Sequence, residues 1–457
     1  MKNIWFFIAV FAVISCKNEA PVDYAILSGK ISNKGAGELT FNSADRTVKK
    51  VITVGDDGSF MDTLRVNTET YVLYDGKNRI NVYVEPGSTI NVNYDATDFD
   101  NTLVISGIGS EISNYLYEVG KNDKKLRGPG TSVYLLEEGE YKSKFNEIKM
   151  ASEELLKTAI GVEEAYKVKE KRNLNYAYLS QINIYEMYHA HYAKQPDFKI
   201  SKDFLKELDG FKYDNEEDFL FSSNYKNIVT SHFSKEAANL AKTDSIAEDI
   251  AFLNVAGAIV NETIKNSLLF DNAKYAVTYT DDLEAFYTAF MASSTNKDNN
   301  EKITESYTKL KSVSKGQPSP KFVGYENFKG GTTSLDDLKG KFVYVDVWAT
   351  WCGPCKREIP FLKEIEKTYH NKNIEFVSIS VDKAKDHDKW VQMVTEKELK
   401  GIQLFSDKDW ESDFVTGYLI KGIPRFILID PNGNIVNSNA PRPSDSKLID
   451  LFNELNI

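Results

Sequence analysis

Apolar and polar positions along the chain change rhythm three times. Between residues 24 and 105, short runs of β-forming residues recur at 24–31, 37–41, 48–54, 59–66, 70–74, 80–84 and 89–94. Turn clusters separate them, among them Gly55-Asp56-Asp57-Gly58, Asp75-Gly76-Lys77-Asn78 and Glu85-Pro86-Gly87-Ser88. Spacing this regular predicts a small antiparallel β-sandwich over residues 24–107. The acidic 55–58 turn lacks the ligand spacing and terminal Glu of an EF-hand, and reads as a plain hairpin turn. From 108 to 313 Gly and Pro thin out. Apolar residues there fall at helical spacing over 135–156, 162–192, 236–253 and 281–291, which predicts an α-helical region. Residues 314–320, Ser-Lys-Gly-Gln-Pro-Ser-Pro, read as a linker. Over 316–457 the two periods alternate. Strands are expected at 342–348, 374–381 and 426–430, with a hairpin from the last into 435–437. Helices are expected from 354, near 386–399 and near 444–455. That order predicts an α/β domain with a mixed sheet.

Within the helical region Tyr185, Tyr188 and Tyr192 share one helical face, a stripe expected to pack in a core rather than bind a ligand. His189 and His191 are two apart, so on a helix they diverge and cannot chelate together. No metal and no cofactor is expected anywhere in the chain.

The extreme N-terminus belongs to targeting rather than to the fold. Lys2 precedes an apolar core at 4–13, and Val13-Ile14-Ser15-Cys16 comes next. That tetrad resembles a bacterial lipobox. It implies a cleaved signal peptide over 1–15, acylation of Cys16 and a tether over 16–23. The apolar stretch is short for a membrane span, and no other segment approaches 18 apolar residues. Lys17 is not the Asp that marks inner-membrane retention in enteric bacteria, which favours an outer-membrane anchor facing the periplasm. The net charge of −11 gives nucleic acid no basic patch to bind. With 3 cysteines in the chain and Cys16 set aside, Cys352 and Cys355 remain for exchange chemistry.

Those two cysteines stand where a strand hands over to a helix, in Phe342-Val343-Tyr344-Val345-Asp346-Val347-Trp348-Ala349-Thr350-Trp351-Cys352-Gly353-Pro354-Cys355. A thiol at a helix N-terminus faces free N–H groups and the positive end of the dipole. Its thiolate is favoured, and the thiolate attacks disulfides. Cys352 is therefore expected to be the solvent-facing nucleophile and Cys355 the resolving thiol beneath it. Asp346, in an apolar strand, is expected to be buried with a raised pKa and to take the Cys355 proton. Its alternative is a structural acid capping a backbone group. Pro360 should kink the helix. Gly422-Ile423-Pro424 precedes a strand. A cis Ile423–Pro424 bond would expose the Ile423 backbone for strand addition by a client, although an isolated X-Pro bond is more often trans. Trp351 offers a flat apolar surface beside Cys352, or ordinary core packing.

The run 345–356 resembles the active-site strand and helix of thioredoxin. Arg357-Glu358-Ile359-Pro360-Phe361-Leu362 is similar to the continuation of that helix in the TlpA/ResA-like thiol-disulfide oxidoreductases. So are the segments 316–322, 334–341 and Gly422-Ile423-Pro424-Arg425-Phe426-Ile427-Leu428-Ile429-Asp430 to their counterparts in that family. The resemblance covers about the last third of the chain. It implies a thioredoxin fold with Cys352 as nucleophile, Cys355 as resolver, Asp346 at the buried acid position and Pro424 in cis. Trp351, Gly353, Pro354, Ile423 and Pro424 are then the client-facing residues. Many family members carry a neutral residue where this chain has Asp346. The implied activity is reduction of protein disulfides in the cell envelope, because Gly-Pro between the cysteines is the dipeptide of reducing thioredoxins. Client proteins and a membrane thiol-electron transporter are the implied partners. Two other readings stand beside it: a disulfide oxidase or isomerase, and a peptide- or glycan-binding lipoprotein with an accessory thioredoxin domain.

Overall fold

A computed structural model describes residues 22–44 and 47–457. The expected signal peptide, Cys16 and most of the tether lie outside the described residues. The N-terminal strands are β1 (Ala25–Ser32), β2 (Leu39–Asn42), β3 (Lys49–Ile52), β4 (Ser59–Leu64), β5 (Glu69–Tyr74), β6 (Arg79–Val84) and β7 (Thr89–Asp95). A one-turn helix, α1 (Phe99–Thr102), then leads to β8 (Val104–Ile108). They form two four-stranded sheets in the orders β4-β1-β7-β8 and β3-β2-β5-β6. Alternate residues such as Phe41, Tyr71, Val82, Ile90 and Val92 meet in one core.

Two expectations need correction here. The sandwich is not wholly antiparallel, because β1 and β7 pair in parallel. The 55–58 turn does not close a hairpin within one sheet. It is a hairpin-like corner between β3 and β4, strands of different sheets, closed by the antiparallel Val54–Phe60 bridge and by Gly55 N–H donating to Ser59 O at 2.8 Å. Gly58 has φ +82 there, and a Cβ on it would lie 2.2 Å from the Ile31 carbonyl oxygen.

The helices are α2 (Glu111–Arg127), α3 (Glu138–Thr158), α4 (Glu164–Tyr192), α5 (Glu216–Phe221), α6 (Ser223–Asp244), α7 (Glu248–Gly257), α8 (Glu262–Ala276), α9 (Leu283–Ser293) and α10 (Lys297–Lys311). The single helix expected over 236–253 is broken between α6 and α7, where Ser245 adopts φ 54 and Ala247 is extended. Tyr185 is fully buried, while Tyr188 and Tyr192 stack on Tyr134 with centroids 4.7 and 5.5 Å away. The stripe is packing, and His189 belongs to it through a 3.0 Å hydrogen bond between Nδ1 and the Tyr134 carbonyl. The described residues gather into two units, one up to Val229 and one from Thr230. The 108–313 stretch is thus not one domain: its first helices cluster with the sandwich, its last ones with the α/β domain.

The last domain contains β9 (Tyr325–Asn327), β10 (Thr332–Thr333), β11 (Phe342–Trp348), α11 (Gly353–Thr368), β12 (Ile374–Ser380), α12 (His387–Glu396), β13 (Ile402–Phe405), α13 (Asp413–Gly417), β14 (Arg425–Ile429), β15 (Ile435–Asn437) and α14 (Lys447–Glu454). Its seven strands run β10-β9-β13-β12-β11-β14-β15. β11 lies between a parallel neighbour, β12, and an antiparallel one, β14. Both its faces are covered, hence its nearly unbroken apolar run. Residues 314–320, expected as a linker, are bonded to this sheet instead. Gly316 N–H donates to Ile435 O at 2.7 Å and Ile435 N–H to Gln317 O at 2.8 Å. An edge strand has backbone groups to satisfy, and this segment satisfies those of β15.

Candidate active site

The strand-to-helix turn after β11 is fixed from below. Asp382, fully buried, accepts the Thr350 N–H and Thr350 hydroxyl, each at 2.8 Å, and the Ser380 hydroxyl at 2.7 Å. Three partners hold a buried carboxylate and with it the loop that delivers Cys352. Cys352 caps α11: its backbone is extended, and its Sγ accepts the Cys355 N–H at 3.1 Å. Pro354 sits in the first turn, where no N–H is required. Cys352 and Cys355 are joined in a disulfide with Cα atoms 5.3 Å apart. In this bonded form the sulfur expected to face solvent is covered, for Cys352 is 3 % exposed and Cys355 4 %. The open rim is Trp351, 58 % exposed, with Gly353 and Pro354. Trp351 therefore does not pack in the core; Trp410 lies beside it, with ring centroids 6.5 Å apart.

Asp346 faces Ser378 on one side and Phe426 on the other in the sheet register. Its Oδ1 is shielded from solvent and has no hydrogen-bond partner. Burial pushes its carboxyl up to about 8, helped by the negative charges of Glu366 and Glu358. A cavity of ≈ 10 Å³ opens against it, lined by Asp346, Trp348, Cys355, Ser378, Gln403 and Glu366 among others. The structural-cap alternative for Asp346 finds no support, since that oxygen caps nothing. Pro360 lies within α11, which continues through it to Thr368.

The Ile423–Pro424 bond is cis. The loop around it is braced from outside by the turn after α8. Arg425, 2 % exposed, donates to the Thr278 carbonyl and lies over the Tyr279 ring, 5.1 Å from its centroid. Burial draws its guanidinium down to about 10. Lys421 donates to the Lys274 carbonyl at 3.0 Å. A Cβ on Gly422 would lie 2.7 Å from the Tyr279 hydroxyl, so glycine sets the closeness of that approach.

Sequence reasoning missed Glu358, Glu366, Asp382 and Arg425. Glu358 accepts the Ser444 N–H at 3.0 Å and its hydroxyl at 2.9 Å. Glu366 carried a readable signal. It shares a helical face with Cys355, Ile359 and Leu362, so it is a charge on an apolar stripe. Among the described residues no group of three or more His, Cys, Asp or Glu could hold a metal ion.

Comparison with known proteins covers this domain. Residues 314–451 match the Redoxin family. Thiol-disulfide oxidoreductase ResA of Bacillus subtilis is 29% identical over 142 residues, spanning 31% of this chain and 76% of the relative. ResA of Geobacillus kaustophilus is 30% identical over 134 residues, spanning 29% of this chain and 72% of the relative. Among solved structures, a candidate thiol-disulfide oxidoreductase of Bacteroides vulgatus is 53% identical, covering 32% of this chain and 93% of its own, with a TM-score of 0.28. The thioredoxin domain of a thiol-disulfide oxidoreductase from the same species is 29% identical, covering 31% and 98%, with a TM-score of 0.29. The two ResA relatives carry the assignment, and a cysteine pair at a helix N-cap with an acid beneath it agrees with them: through its last third, the chain belongs to the ResA/TlpA-like thiol-disulfide oxidoreductases.

Proposed function

We propose that this thiol-disulfide oxidoreductase works as a reductase of protein disulfides, lipid-anchored through Cys16 in the bacterial cell envelope and facing the periplasm from the outer membrane. The observation that carries the chemistry is Cys352 at the N-cap of α11, with its sulfur accepting the Cys355 N–H. The same N–H and the helix dipole favour a thiolate at Cys352 once the pair is reduced. That thiolate attacks one sulfur of a client disulfide, forming a mixed disulfide and releasing the other client sulfur as a thiolate. Cys355 then gives up its proton to Asp346 and attacks Cys352 Sγ. The intramolecular bond forms and the second client sulfur leaves, so two electrons have passed from the protein dithiol to the client.

Clients would lie across Trp351, Gly353 and Pro354 and pair with the Ile423 backbone next to Pro424. A membrane thiol-electron transporter would restore the dithiol. The lipobox-like Val13-Ile14-Ser15-Cys16 supports assigning the anchor to Cys16; among the described residues no helix is long and apolar enough to cross a membrane. The reduction potential of the full-length protein tests the direction. A value near that of thioredoxin, about −270 mV, supports reduction, and one near −120 mV, that of a strong oxidant, turns the assignment to oxidation. Labelling with a radioactive fatty acid in cells tests the anchor, which fails if Cys16→Ala incorporates as much label as the unaltered protein.

A further inference from the structure

The cavity beneath Cys355 has more polar atoms than partners. Asp346 Oδ1, Trp348 Nε1 and Gln403 Oε1 are all shielded from solvent, all without a hydrogen bond, and their residues all line it. At ≈ 10 Å³ the cavity has room for about one water. One donor and two acceptors around such a space suit a water that accepts from the indole, donates to Asp346 Oδ1, turns its other O–H to Gln403 Oε1 or to Glu366, and keeps a lone pair for the Cys355 S–H. Glu366 lines the same cavity from α11 and is 8 % exposed. Its carboxylate has room because Gly401 is glycine: a Cβ there would lie 2.8 Å from Glu366 Oε1.

We infer that Glu366 and Asp346 form a proton-sharing carboxylate pair, bridged by one water beneath Cys355, and that Glu366 passes the Cys355 proton to solvent. The inference rests on the resolving role given to Cys355 under the proposed function. In the resolving step the S–H bond of Cys355 breaks and its proton goes through the water to the pair. The sulfur's electron pair forms the Cys352–Cys355 bond, and the Cys352–client bond breaks with its electrons on the leaving sulfur.

The charged surroundings favour this division of labour. Toward Asp346 stand Glu366, Glu358 and the Tyr344 phenol, and Lys363 and Lys400 line the cavity that Asp346 shares with Glu366. Toward Glu366 stand Lys363 on its own helix, Lys400 before β13 and Lys329 after β9. Two neighbouring carboxylates cannot ionise independently, so they titrate as a unit near neutrality. The cations make the Glu366 end the place where negative charge rests. Glu366 is thus a positioning residue for the proton and touches neither sulfur of the client bond.

Reaction of the reduced full-length protein with 5,5′-dithiobis(2-nitrobenzoate) tests this. The first release of thionitrobenzoate reports attack by Cys352, and the second reports closure by Cys355. Glu366→Gln should move the pH midpoint of the second phase down by about one unit, because losing the like charge favours ionised Asp346. Glu364→Gln makes the same charge change on the exposed face and should leave the midpoint in place. A midpoint unmoved by Glu366→Gln, or moved equally by Glu364→Gln, overturns the inference while leaving the redox assignment intact. If the unaltered protein gave no second phase, the resolving role of Cys355 would fall, and this inference with it. Infrared titration of the carboxyl bands guards against a variant that does not fold. It is read in Glu170→Gln, which removes the other carboxyl raised to about 7; two coupled steps should remain near neutrality, and finding fewer than two there overturns the pair.

Discussion

Two desolvated carboxylates, one in each unit, have met opposite fates. Glu170 lies on α4, 3 % exposed, and burial pushes its carboxyl up to about 7. Both its oxygens are answered: Tyr115 donates to Oε1 at 3.1 Å and Asn173 to Oε2 at 3.0 Å. Asp346 is pushed up to about 8 by the same cause, yet its Oδ1 meets a cavity it shares with Cys355. Desolvation alone therefore does not mark a functional acid. An oxygen left without a local donor, opening toward a group that must lose a proton, is the distinguishing feature. Glu170 is a satisfied strut, and Asp346 is the base that the proposed mechanism calls on.

The largest expected effect tests the second half of that contrast. Asp346→Asn removes the proton acceptor and should slow closure by Cys355 about 100-fold at pH 7, within the usual range for general-base catalysis. Glu170→Gln should change neither phase of the same assay. A loss under threefold in Asp346→Asn, or a comparable loss in Glu170→Gln, would erase the distinction.

Stability against pH separates the two sites by window. Each carboxyl has a folded pKa above its unfolded value, so each favours the folded state most below the unfolded pKa. That contribution is lost as pH rises through the folded value. For Asp346 the window runs from 3.8 to about 8, and for Glu170 from 4.5 to about 7. Trp348, Trp351, Trp390 and Trp410 all belong to the second unit. The fifth tryptophan, Trp5, lies in the expected signal peptide, so in protein lacking residues 1–15 tryptophan fluorescence during urea unfolding reports on that unit alone. Asp346→Asn should flatten its pH slope and stabilise it by a few kcal/mol at pH 9. In Glu170→Gln the fluorescence transition should stay put. The first unit's own slope, tracked by circular dichroism, should flatten by a smaller amount. A fluorescence transition in Asp346→Asn that still weakens from pH 5 to 9 as in the unaltered protein would contradict the assignment.

The range of the forces involved decides how much of this was legible in the sequence. The run from Phe342 to Leu362 announces its strand, turn and helix through local propensity, and Asp346 stands out because a charge interrupts an apolar strand. The β11 and α11 boundaries were readable for the same reason, and the three-residue β15 only as the return strand of the hairpin turn before it. β9, β10 and β13 were not, since two to four residues carry too little pattern to separate from loop. Arg425 was visible as a residue, but its acceptor, the Thr278 carbonyl, lies 147 positions away and leaves no mark in local periodicity. The division of the helical stretch at Val229 was equally hidden, because it depends on which domain each helix packs against. Glu366 falls between these cases: its place on the apolar face of α11 was readable, but the cavity that gives that place a meaning was not.

The smallest effect sharpens the other half of the contrast. Tyr115→Phe deletes the donor to Glu170 Oε1 and leaves the ring in place. Tyr115 is itself 5 % exposed, and burial beside Glu170 holds its phenol far above the usual range, so it remains a neutral donor at every accessible pH. Losing that hydrogen bond should destabilise the first unit by about 1 kcal/mol. It should also raise the Glu170 pKa further, because a bond to the ionised form is gone. Glu170 would then become what Asp346 is electrostatically, a buried acid short of a donor, but with no thiol to serve. Disulfide exchange should be unchanged while the first unit's pH window widens on its alkaline side. If instead closure by Cys355 slowed in Tyr115→Phe, the two acids would be coupled through the molecule, and the division into strut and base would have to be abandoned.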